Sequence, residues 1–116
     1  MNIEEQSQLD RFCLQLKTDF FEAEKIIKSE HVLEVFFYNM TSVKYSVKEK
    51  FLVRTKNQNK DSLKIKNIDF ITILNSNANN ELVKRIKLTT YLFNQPIEFI
   101  AIKQYPIMLE QQYYGD

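Results

Sequence analysis

Glycine is all but missing from this chain: among 116 residues it occurs once, at Gly115. Glycine lets a backbone take positive φ or come close to a phosphate, and nucleotide-binding loops depend on it. A Walker loop, a dinucleotide-binding fingerprint, a nucleophile elbow and an EF-hand are therefore excluded in their usual forms. Tryptophan is absent, and cysteine and histidine occur once each, as Cys13 and His31. One of each builds neither a disulfide framework nor a His/Cys metal site within a single chain. The sequence also lacks the apolar run of about 18 residues that a membrane-spanning helix needs. Its opening, MNIEEQSQLD, is acidic and polar where a secretory signal would be basic and then apolar. These absences lead to the expectation of a cytoplasmic protein with no cofactor and no metal.

What is present describes a folded domain. The chain is 44% hydrophobic and 27% charged, near the globular average, and its length suits one domain spanning residues 1–116. Aromatic residues make up 13% of it, which favours sheet. The net charge of +1 hides a segregation. Residues 1–34 carry four basic side chains against eight acidic ones, whereas residues 43–66 carry eight basic against two acidic.

The first segment reads as a helix over residues 3–28. Leu9, Phe12, Cys13, Leu16, Phe20, Ala23 and Ile27 recur at three- and four-residue steps, with Leu14 and Phe21 widening the stripe. Cys13, inside that stripe, reads as a small buried hydrophobe. The period then changes. HVLEVFFY (31–38) is β-branched and aromatic, and in VKYSVKEKFLVRTK the residues Val43, Tyr45, Val47, Phe51 and Val53 alternate with Lys44, Ser46, Lys48, Lys50 and Arg54. That is the pattern of one half-buried strand, paired in a hairpin that sets Phe37 opposite Tyr45 and Glu34 opposite Lys48.

A third strand over 62–74 changes parity near Lys66-Asn67, which calls for a bulge. The next segment fits either a helix capped by Asn77 or Asn79 with Leu82, Val83, Ile86 and Thr90 on one face, or a strand over 84–93 in which Ile86, Leu88, Thr90 and Leu92 alternate; the strand is preferred. A strand over 97–105 follows, and Pro106 could open a short helix over 106–114. Asparagines 39, 57, 59, 75, 77, 79, 80 and 94 occupy the turns in glycine's place. The expected fold is α+β: a long N-terminal helix on an antiparallel meander of four to five strands, with a short C-terminal helix.

Three functional readings follow. The strand 31–38 is apolar on both faces, so Val32, Phe36 and Tyr38, together with the terminal Tyr113 and Tyr114, are candidates for a partner interface. On this reading the chain is a non-catalytic binding or assembly module, a homo-oligomer acting through its apolar-aromatic sheet face. Alternatively, Lys44, Lys48, Lys50, Arg54 and Lys56 along one strand face, with Lys64 and Lys66 beyond the loop, would track a nucleic-acid backbone. Tyr38 would then be placed to stack a base. The third reading is a metal-free ribonuclease, since Glu49 on an apolar-facing parity and Asp69 between Ile68 and Phe70 could have raised pKa values.

Overall fold

The stripe Leu9, Phe12, Cys13, Leu16 and Phe20 is buried along one side of a helix, α1 (Ile3–Glu22). The flanking Leu14 and Phe21 do not widen it: they are 65% and 84% exposed. The computed structural model describes residues 3–74 and 81–105. After α1 come eight strands: β1 (Ala23–Ser29), β2 (Val32–Phe37), β3 (Ser42–Lys48), β4 (Phe51–Lys56), β5 (Asn59–Lys64), β6 (Asn67–Leu74), β7 (Glu81–Leu92) and β8 (Gln95–Ile102). All pairings are antiparallel. Among the described residues no helix is long and apolar enough to cross a membrane.

The strands form one curled sheet, a half-barrel, in the order β5-β4-β3-β2-β1-β7-β6, with β8 also on β7. The α+β class stands, but a meander of four to five strands is wrong by three or four. Three breaks account for the difference. The helix stops at Glu22 rather than residue 28, because Ala23–Ser29 pairs with β2 and, at Ile27 and Lys28, with β7. There Ala23 and Ile26 are buried as strand residues, and the β-branched Ile26-Ile27 pair suits a pleated surface. The single strand expected over 43–56 turns at Glu49-Lys50 into β3 and β4. The strand expected over 62–74 bends at Ile65-Lys66 into β5 and β6.

That last bend carries the chain from one end of the curled sheet to the other. β5 and β6 end the strand order at opposite sides, yet only two residues join them. Ile65 N–H donates to Lys50 O at 2.8 Å, Lys66 N–H to Thr89 O at 2.7 Å, and Thr90 Oγ1 to Lys64 O at 2.5 Å. The parity change in the sequence near Lys66-Asn67 is thus a corner between two pairing partners.

The β2–β3 hairpin exists with the expected faces but is shifted by four residues. Leu33, not Phe37, stands opposite Tyr45, and Glu34 stands opposite Lys44 rather than Lys48. The loop Tyr38–Thr41 sets this register, with Phe37 N–H donating to Thr41 O at 2.9 Å.

Four hairpins close through two residues: Glu30-His31, Glu49-Lys50, Asn57-Gln58 and Phe93-Asn94. Such loops require positive φ. Here it falls on Glu30, Glu49, Asn57, Phe93 and Asn94, at 49°, 56°, 57°, 53° and 64°. Asparagine therefore fills only part of glycine's place; glutamate and phenylalanine supply the rest in these turns, and Met40 takes a φ of 69° in the β2–β3 loop. The short helix expected over 106–114 lies outside the described residues.

The core sits between α1 and the concave face of the sheet. Leu16, Phe20, Val35, Val43, Val83 and Ile86 are each 0 or 1% exposed. Burying side chains of this size is worth about 1.5–3 kcal/mol each. Phe12 meets Tyr45 edge to face, ring centroids 6.3 Å apart.

Candidate functional site

The helix packs on β8, β5, β1 and β2, and the curled sheet encloses a further space between its two arms. A cavity of about 400 Å³ lies there, walled on one side by Leu33, Tyr45, Val47 and Leu52 and on the other by Ile68, Phe70 and Ile86. The alternation within each strand builds this lining. Leu33, Tyr45 and Leu52 come from three neighbouring strands, whose register places Leu33 beside Tyr45 and Val47 beside Leu52. Lys28, Glu30 and His31, at the β1–β2 turn, line the same space. The Lys28 ammonium lies 5.6 Å from the centre of the Phe70 ring and donates to Glu30 O at 3.4 Å. Apolar walls and a few polar groups are the usual make-up of a small-molecule pocket, and this volume falls in the usual range.

A buried ion pair fixes one wall. Asp19, 2% exposed in the helix, accepts from Arg54 Nε at 2.7 Å and from Arg54 Nη2 at 3.2 Å. Its carboxylate also takes the Tyr45 hydroxyl at 2.5 Å and Gln15 Nε2 at 3.0 Å. Every strong acceptor direction of the carboxylate is used, which a buried charge requires. Burial and the neighbouring Asp19 charge push the Tyr45 phenol far above its ordinary value, so it stays a neutral donor. Burial works to lower the Arg54 guanidinium, but its hydrogen bonds and attraction to Asp19 prevail and hold it above the ordinary value. The sequence carried a signal for this pair. Asp19 falls beside Leu16 and Phe20 on an apolar stripe, where a carboxylate needs a cation.

A second polar joint lies where β1 and β7 part. The Tyr105 hydroxyl donates to Val83 O at 2.5 Å and accepts from Ile26 N–H at 3.1 Å. Nearby, the buried Lys103 ammonium donates to Ala23 O and lies 5.8 Å from the Tyr105 ring centre. Burial lowers its pKa. Cys13 is buried, and desolvation followed by the charge of Asp10 raises its thiol to about 11.

The residues singled out in the sequence scatter over the molecule. Val32, half-buried at the start of β2, lines the cavity beside His31 and Leu33, whereas Phe36 is half-buried with the Lys25 ammonium 5.6 Å from its ring centre. Tyr38 is 69% exposed in the β2–β3 loop; Tyr113 and Tyr114 lie outside the described residues. The seven bases do not share a face. The turn at Glu49-Lys50 reverses parity, so Arg54 points into the core with Leu52, while Phe51 comes to the surface at 40% exposed. Lys44, Lys48 and Lys64 are exposed on the convex side and Lys50 lies in the β3–β4 loop. Lys56 stands on the inward parity with Arg54, and Lys66 sits 5.9 Å from the Tyr91 ring centre.

Glu49 occupies a turn and Asp69 is exposed opposite Lys87, so neither is the buried carboxylate that the acid–base reading needs. Among the described residues no cluster of His, Cys, Asp and Glu side chains could hold a metal ion. No family model matches the chain, and no curated protein or solved structure matches it either.

Proposed function

We propose that this protein is a non-catalytic binding module that takes a small apolar molecule into the cavity of its half-barrel. The observation that carries the reading is the cavity of about 400 Å³, with apolar walls drawn from both arms of the sheet. The hydroxyl of Tyr45, one of the wall residues, is already committed to Asp19. What enters therefore has an apolar body, and any polar end rests near Lys28 and His31. A cytoplasmic setting belongs to the same proposal, in keeping with a free thiol in place of disulfides.

Titration with 1-alkanols of increasing length, followed by amide NMR shifts, tests it. Affinity should rise about fourfold per added methylene, the equivalent of about 0.8 kcal/mol, until the chain outgrows the cavity. Shifts should centre on Leu33, Ile68, Phe70 and Ile86. Their absence for every length sinks the proposal. Self-association is a second reading. Phe21 and Ile102, 84% and 61% exposed, line one depression at the end of the helix. Light scattering at micromolar concentration that finds only monomer removes it.

A further inference from the structure

We propose that the convex face of β3, β4 and β5 is a platform for single-stranded nucleic acid. The register builds it from two cross-strand rows. In one, Lys48 stands opposite Phe51 and Phe51 opposite Lys64. In the other, Lys44 stands opposite Thr55 and Thr55 opposite Lys60. Residues directly opposite in antiparallel strands project to the same side, and the other side of these strands is fixed as inward by the buried Tyr45, Leu52 and Leu63. All four lysines are exposed.

The rows lie about 13 Å apart along the strands, and the outer strands about 10 Å apart across them. Four ammonium groups thus frame a rectangle, with Lys50 in the adjoining loop. Acid is scarce on this face. Asp61 stands opposite Arg54 on the inward parity, leaving Glu34, which stands opposite Lys44 and accepts from Ser42 at 3.0 Å, and Glu49 in the loop.

A merely solvated face would account for the lysines. It does not account for Phe51, a large aromatic 40% exposed on an interior strand between two lysines. An aromatic platform within a cationic frame is the arrangement that stacks bases and follows a phosphate backbone without reading sequence. An acidic protein would use the charges but gives Phe51 no role. Lysine rather than arginine at every corner fits point-charge contact with phosphates and not bidentate reading of base edges.

The test is binding of oligothymidylate and oligouridylate of about 12 nucleotides across a salt series, with heparin and polyglutamate as base-free polyanions. Four lysine–phosphate contacts predict a slope of log affinity on log salt of about −3. Phe51→Ala should weaken oligonucleotide binding about 5- to 150-fold and leave heparin binding unchanged. The double variant Lys48→Gln/Lys64→Gln, at exposed positions, should reduce the slope by about 1.4, and it keeps the test decisive if Phe51→Ala fails to fold. No binding at about 50 mM salt, equal affinity for polyglutamate, or an unchanged folded Phe51→Ala overturns the proposal.

Discussion

Replacing Asp19 by alanine should cost this protein about 3–5 kcal/mol, the usual result of stripping one partner from a buried ion pair. The structure gives the reason for expecting that range. Asp19 is 2% exposed and accepts from Arg54 at 2.7 and 3.2 Å, Tyr45 at 2.5 Å and Gln15 at 3.0 Å. Alanine leaves the guanidinium and the phenol beneath the helix with no acceptor, and hydrogen bonds to a charged group are worth about 1.5–3 kcal/mol each. Against a total stability of about 5–15 kcal/mol, the loss is a large share. Urea unfolding followed by circular dichroism reads it directly. With a slope of about 2 kcal/mol per molar urea, the midpoint should fall by about 2 M. The apolar pair Asp19→Leu/Arg54→Met should recover most of the loss, because it removes the stranded charge as well as its partner. A loss under about 1 kcal/mol for Asp19→Ala would refute the reasoning, since the pair would then be behaving like a solvated surface bridge.

Three further outcomes follow from the strained turns and the buried groups. Glu49→Gly should raise the melting temperature, corresponding to about 0.5–1 kcal/mol, because the left-handed cost to a side chain exceeds glycine's entropic one; a lower melting temperature counts against a positive φ at Glu49 in solution. Lys103 has a folded pKa below its unfolded 10.5, so the stability it contributes is present above pH 10.5 and is lost as pH falls through the folded value. Comparison with Lys103→Met by urea unfolding between pH 8 and 11 should show that slope in the parent and a flatter one in the variant, and parallel curves disprove the assignment. Cys13, with its thiol raised to about 11, should alkylate with iodoacetamide at pH 8 far more slowly in the folded protein than in urea. Equal rates would mean that the thiol is not buried.

The sequence made some parts of this fold legible and left others dark for physical reasons. The inward stripe Leu9 to Phe20 could be read because helical periodicity leaves no alternative face. The end of α1 could not: Ala23 and Ile27 keep the helical spacing, and only pairing with β2 and β7 makes them strand. The β2–β3 faces were readable but the register was not, because a slip of four residues preserves parity. Most consequential was Glu49-Lys50. A two-residue turn without glycine or asparagine carries no local signal, and missing it reversed Phe51 and Arg54. The cavity depends on Ile68, Phe70 and Ile86 facing Leu33 and Val47 across the curl. That arrangement is set by the corner at Ile65-Lys66, where β5 hands the chain from β4 to β7.

Strand β7 carries a consequence for how the molecule comes into being. It is shared by β6 along one edge and by β1 and then β8 along the other, and it emerges from the ribosome only after α1 and the strands β1 to β6. A nascent chain that has reached Leu74 holds α1, β1 to β5 and a β6 still without its one strand partner, and Ile26 has no Tyr105 hydroxyl to donate to. Phe20, Ala23 and Ile26 are then still without Val83, Ile86 and Ala101, their companions in the finished core. For that interval of synthesis the concave face is open, and it stays so until the last two described strands arrive to cover it.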